Sequence, residues 1–217
     1  MDSVKIHMAS TLAGFILDAC FGDPHFLPHP VRGIGNLISL SEKGIRRLFP
    51  KTEKGELAGG ALFVLLVLGI TAALSFGLWY AAAAAGNTAL FLAESVMVYF
   101  LLAARSLRDE SMRVYYSLRN GDVEEARRNV SMIVGRDTSV LDAQGIARAA
   151  VETVAENASD GVIAPLFYLA LGGPVLGWVY KAVNTMDSMA GYKNKKYFWF
   201  GRAAARLDAV SYTHLRA

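Results

Sequence analysis

Apolar and charged positions fall in long blocks along this chain rather than in a short period. Between Glu56 and Glu94 there is no charged side chain, a run far longer than the roughly 20 residues one membrane helix needs. Gly86-Asn87-Thr88 interrupts it with residues suited to a turn and to capping the next helix. The pattern therefore predicts two spans, near 57–82 and 88–104. A shorter apolar stretch at 8–21 predicts a membrane-inserted or interfacial helix.

From 105 to about 160 the pattern changes to polar helices, with no strand-like alternation and no internal repeat. Asp122 is placed to cap one helix, with Glu124 and Glu125 in its first turn and Arg127 and Arg128 later. A second helix is predicted from about 142 to 157. Ile146, Ala150 and Val154 line one side of it, and Arg148, Glu152 and Glu156 line the other. Ser159-Asp160-Gly161 is expected to end it.

The next apolar stretch, 162–179, is divided by Gly172-Gly173-Pro174. A single crossing there would carry Lys181, Lys193, Lys195, Lys196, Arg202 and Arg206 to the outside, against the positive-inside bias. Two half-helices re-entering from the cytoplasm fit better. Such broken backbone is tolerated at membrane depth only where protein or a water-filled cavity surrounds it. The fold class expected is all-α: a polytopic helical membrane protein with a cytoplasmic helical insert at 105–160 and a re-entrant broken helix.

Composition agrees: 53% of residues are hydrophobic and 19% charged, and the mean hydropathy is +0.32. The net charge of +3 does not mark a nucleic-acid binder, because the basic residues flank the apolar spans and form no aromatic-laced patch. Arg32 to Lys54 precede the first long span, Arg105 to Arg119 follow the second, and the Gly86 turn carries none. Both ends of that hairpin are expected in the cytoplasm, and the lipid bilayer is the expected surrounding. The single cysteine, Cys20, excludes an internal disulfide and is expected to be packed.

Three segments carry candidate chemistry. Gly22 to Arg32 is a proline-pinned loop presenting Asp23, His29 and Arg32 in fixed order, as an anion-binding or proton-transfer site needs. Glu152, Glu156, Asn157 and Asp160 place oxygen ligands on adjacent turns, which suits Mg²⁺. Lys181, Asn184, Asp187 and Ser188 fall at three- and four-residue spacing, and ionisable groups beside lipid are functional candidates by default. Glu94 lies inside a span with no partner visible in the sequence. The chain has no phosphate-binding loop of the GxxxxGK[ST] type, no dinucleotide glycine fingerprint, no HExxH and no CxxC.

At these motifs the chain resembles the CbiB/CobD family of adenosylcobinamide-phosphate synthases. The likeness runs from Leu12 to Asp208, through Gly22-Asp23-Pro24, His29-Pro30-Val31-Arg32, Val134-Gly135-Arg136-Asp137-Thr138, the 149–161 segment and the 182–192 segment. The resemblance implies a multi-pass enzyme of the bacterial or archaeal cell (inner) membrane. Its reaction joins aminopropanol phosphate, or ethanolamine phosphate, to adenosylcobyric acid through an amide. ATP and Mg²⁺ are the implied cofactors. The corrinoid and the amino-alcohol phosphate are the implied partners, with association to other membrane enzymes of the pathway possible and no nucleic acid.

Chemistry suggests roles within that resemblance. Glu156, Asp160 and Asp187 are candidate metal ligands, and Asp23, His29, Glu152, Asn157 and Asn184 are further catalytic candidates. Arg32, Arg136, Asp137, Thr138, Lys181, Ser188 and Tyr192 are candidates for substrate and phosphate. The family-like domain is expected to cover 1–208, with 209–217 a non-native tail. Two alternatives stay open: a Mg²⁺-dependent intramembrane prenyltransferase, suggested by the paired Asn-x-x-Asp at 157–160 and 184–187, and a non-catalytic AmpE-like sensor or assembly subunit.

Overall fold

The computed structural model describes residues 3–24, 28–135, 137–192 and 194–212, with the side chain of Tyr212 excepted. Among these residues all regular secondary structure is helical. Helix α1 is Ser3–Phe21, α2 Pro30–Leu48, α3 Glu53–Ala85, α4 Asn87–Tyr99, α5 Ala104–Arg119, α6 Val123–Ser131, α7 Ala143–Ala158, α8 Ala164–Ala190 and α9 Arg202–Tyr212. Four helical stretches are long and apolar enough to cross a membrane: Ser3–Phe21, Glu53–Ala85, Asn87–Arg119 and Ala143–Ala190. The polytopic helical membrane fold is therefore observed. At 1.5 Å per residue α3 is about 50 Å long, well beyond a hydrocarbon core of about 30 Å.

The predicted α3–α4 turn forms at Gly86, whose φ of 111° lies in the region that glycine alone occupies freely. Helix α1 packs along α4, and Gly14 permits the approach: a Cβ there would lie 2.5 Å from Val98 Cβ and 2.7 Å from the Ser95 carbonyl oxygen. Helix α2 was not predicted. Its hydrophobic residues Ile34, Ile38 and Ile45 sit on one buried stripe against α3 and α8, and His29 caps its first turn by accepting from the Val31 N–H. The 22–32 segment is thus a short loop followed by a proline-opened helix. Cys20 is exposed rather than packed within the protein.

Helices α5, α6 and α7 form the insert. They enclose a small core of Val114, Ala126, Val130, Ile146 and Ala149, in which each larger aliphatic side chain contributes roughly 1.5–3 kcal/mol. Asp122 caps α6 and Asp142 caps α7, each accepting from the N–H three residues on. The Ser159-Asp160-Gly161 stretch does not end the helix. It forms a π-helical turn, Ser159–Ile163, that leads straight into α8. Asp160 on this turn lines the cavity beside Asn184, while Glu152 and Glu156 are exposed on α7.

Helix α8 breaks where Gly172-Gly173-Pro174 predicted: Gly172 and Gly173 have non-helical backbone angles, with φ +67° at Gly173, and Pro174 has no N–H to continue the ladder. The two limbs fold back on each other. Tyr168 stacks on Tyr180 at 4.8 Å, a Cβ on Gly177 would lie 3.3 Å from Leu169, and Asn184 Nδ2 donates to Asp160 Oδ2 at 3.1 Å. Partners before the break thus meet partners ever farther after it, the signature of a helical hairpin. Its base lies beside the start of α5, where the Ala103 N–H donates to the Gly161 carbonyl.

Candidate functional site

Two cavities open at the base of this hairpin. One, of about 510 Å³, is lined by Asp23, His29, Arg32, Ser106, Arg113 and Lys181 among others. The second, of about 260 Å³, is lined by Asn157, Asp160, Gly161 and Asn184. Ala103, Ser106, Glu110 and Lys181 belong to both walls. Lys181 therefore stands between the loop that follows α1 and the turn that precedes α8.

The chain builds this from local rules. Gly22 turns out of α1 with φ +60°, and its carbonyl accepts from the Tyr99 hydroxyl at 2.6 Å, which ties the loop to the end of α4. Asp23 then accepts from the Ser106 hydroxyl at 2.8 Å. His29 Nδ1 is used by the Val31 N–H, so Nε2 carries the hydrogen, and it stands 3.2 Å from Asp23 Oδ1. Burial pushes the Asp23 carboxyl up, but His29, Ser106 and the Lys181 charge outweigh it and hold the group below its ordinary 3.8. Asp23 is thus an anion aimed at the cavity.

Asp18 is the residue sequence reasoning missed. It is fully buried, and its Oδ2 accepts from the Ala104 N–H at 2.8 Å, capping α5 from a different helix, while its Oδ1 is buried without a donor. A carboxylate inside an apolar stretch was the available signal. Ser106, Glu110 and Arg113 carried none, because only packing brings α5 to the loop. Among the described residues Lys181 makes no direct ion pair; its ammonium is set against Asp23, Asp160 and Asp18 at longer range.

Of the predicted residues, Asp23, His29, Arg32, Asn157, Asp160, Lys181 and Asn184 line the two cavities. The others lie elsewhere. Glu152 is exposed on α7 and accepts from Arg148 Nε at 3.0 Å, an ordinary i,i+4 pair. Glu156 is exposed on the same helix, and Asp187 is half-buried outside both linings. Glu156, Asp160 and Asp187 therefore do not gather, and among the described residues no group of three His, Cys, Asp or Glu side chains could hold a metal. Ser188 and Tyr192 are exposed. Asp137 is exposed in a turn closed by the Ser139 N–H, Thr138 is buried against the Arg127 carbonyl, and Arg136 lies outside the described residues.

This is a polytopic helical membrane protein with a polar cavity pair at the foot of a re-entrant hairpin. A protein-family model described as CobD/Cbib protein matches residues 11–213, and the chain belongs to that family. It is 50% identical over 203 residues to the cobalamin biosynthesis protein CobD of Geobacter metallireducens, covering 94% of this chain and 63% of that protein. It is 47% identical over 204 residues to the protein of that name from Photorhabdus laumondii, covering 94% and 64%. To that of Listeria monocytogenes serovar 1/2a it is 47% identical over 202 residues, covering 92% and 62%. The chain thus spans somewhat under two thirds of the length of these relatives. No solved structure matches it.

Proposed function

We propose that the protein serves cobalamin biosynthesis as an adenosylcobinamide-phosphate synthase, working at the cytoplasmic edge of a prokaryotic cell membrane. It would join an amino-alcohol phosphate to adenosylcobyric acid through an amide. The observation that carries this is Lys181 in the common wall of two cavities, with Arg32 and the Asp23–His29 pair on one side and Asp160 and Asn184 on the other. An ammonium and a guanidinium suit a phosphate. A carboxylate held anionic suits the ammonium end of the same small substrate.

Amide formation needs an activated carboxylate and an unprotonated amine. In this reading ATP supplies the activation, and Mg²⁺ neutralises its phosphates when bound. Mg²⁺ commonly takes only one or two carboxylates, with water and phosphate filling the rest. Asp160, across Lys181 from Asp23, is the cavity carboxylate that fits; Glu156 and Asp187 are not. Asp23 accepts a hydrogen bond from the incoming ammonium and takes its proton to free the amine, and His29 orients Asp23 rather than acting as base, since its Nδ1 is engaged by the Val31 N–H. Lys181 and Arg32 hold the phosphate.

The test supplies adenosylcobyric acid, aminopropanol phosphate, Mg²⁺ and ATP to the purified protein in lipid. Amide product supports the proposal. No product with either amino-alcohol phosphate, from well-folded protein, refutes it.

A further inference from the structure

One buried ionisable group takes no part in the cavities. Glu94, 3% exposed in the middle of α4, accepts from Trp79 Nε1 at 2.7 Å. Its other oxygen lies 3.4 Å from His7 Nδ1. His7 Nε2 in turn stands 3.0 Å from the Leu169 carbonyl oxygen. Three helices thus converge on a single carbonyl of α8.

That carbonyl is special. In an unbroken helix it would accept from the N–H of Gly173, four residues on, but Gly173 has left the helical conformation. Leu169 sits in the last turn before the break, where helix carbonyls call for donors from outside the helix, and water is scarce at membrane depth. A carbonyl only accepts, so His7 Nε2 must donate. Nδ1 and Glu94 then share one further proton, and the pair is net neutral whichever atom carries it, which removes the cost of an unpaired buried charge. A Cβ on Gly173 would be 3.9 Å from His7 Cε1, so the imidazole also abuts the tip itself.

We infer that His7 is a positioning residue: held by Glu94 and Trp79, it caps the broken end of the first limb of α8 and fixes the depth and tilt of the hairpin. The base of that hairpin carries Asp160, Lys181 and Asn184. The role concerns catalysis only through the proposed function, but the fixing of the hairpin is measurable without it.

The test uses the protein in lipid nanodiscs with Cys20→Ser and spin labels on cysteines at Leu62 and Leu171, both exposed. With His7 present one narrow label–label distance is expected. His7→Phe keeps a ring but no donor and should broaden that distribution at least about twofold, while His7→Gln, which keeps a donor near the Nε2 position, should restore it. Where His7→Phe does not fold, Trp79→Phe decides, since it frees Glu94 and should broaden the distribution. A distribution of parental width in His7→Phe or in Trp79→Phe overturns the inference, as does failure of His7→Gln to narrow it. Amide formation, if the proposed reaction holds, should fall roughly tenfold in kcat in His7→Phe, as misplacement of reacting groups predicts. A broadened distance without any ligation in the parent would refute the reaction and leave the positioning role standing.

Discussion

Asp18 accepts a 2.8 Å hydrogen bond from the Ala104 N–H, joining the end of the first helix to the start of the fifth across 86 residues. This bond places Ser106, two residues on, against Asp23. Replacing Asp18 with Ala removes a cap that α5 has from no residue of its own. Hydrogen bonds to charged groups contribute roughly 1.5–3 kcal/mol, so Asp18→Ala should lower the thermal denaturation midpoint in detergent. Asp18→Asn keeps an acceptor and should lose less.

Asp23 sets a pH dependence with a definite sign. Its folded pKa lies below the ordinary 3.8, so between the folded and unfolded values the unfolded chain binds more protons. Stability from this group is then fully present above the ordinary carboxylate value and is lost as pH falls through the lower folded value. Denaturation midpoints of the parent and Asp23→Asn, compared from neutral pH into that acid range, should converge at the acid end.

Lys181 lies in both cavity walls. Lys181→Met retains its apolar stem and removes the charge. Loss of a preorganised cationic group at a site of developing charge costs about 10²–10³ in kcat, so ligation assays should show a drop of that order with the protein still folded. Near-parental activity would remove Lys181 from the mechanism.

Glu152 gives the opposite expectation. It pairs with Arg148, and both side chains are exposed, at 48% and 82%. Exposed pairs of this kind contribute about 0–1 kcal/mol. Glu152→Gln should leave both ligation and denaturation midpoint close to parental.

Gly14 tests the α1–α4 seam. An added Cβ would meet Val98 and, more seriously, the Ser95 carbonyl oxygen at 2.7 Å, which is backbone and cannot rotate away. Close helix approach through small residues is how membrane helices pack, and overpacking typically costs 1–3 kcal/mol. Gly14→Ala should lower the denaturation midpoint, whereas Gly44→Ala, with open space around it, should not.

Much of the architecture could be read from the chain because the signals were local. The Glu56-to-Glu94 gap in charge, the Gly86 turn, the Asp122 cap and the Gly172-Gly173-Pro174 break each announce themselves within a few residues. Helix α2 was missed because its Pro-rich start reads as loop and its apolar stripe is interleaved with Arg and Lys. Ser159-Asp160-Gly161 reads as a helix end because Ser, Asp and Gly are local breakers, whereas the π turn at Ser159–Ile163 carries the chain on into α8. Glu94 could be recognised as unusual, but its partner His7 is 87 residues away, and no local rule connects them. The segments at Asp23 and Lys181 could be nominated separately; that both share a cavity wall with Ser106 depended on how α5 is anchored.

The fold-back of α8 also bears on how the chain reaches its membrane. Because the two limbs of the hairpin meet at a base beside the start of α5, the cationic stretch containing Lys195, Lys196, Arg202 and Arg206 emerges on the same side as the start of α5. The positive-inside bias retains such a stretch, so the fold-back lets the hairpin insert without carrying those charges across.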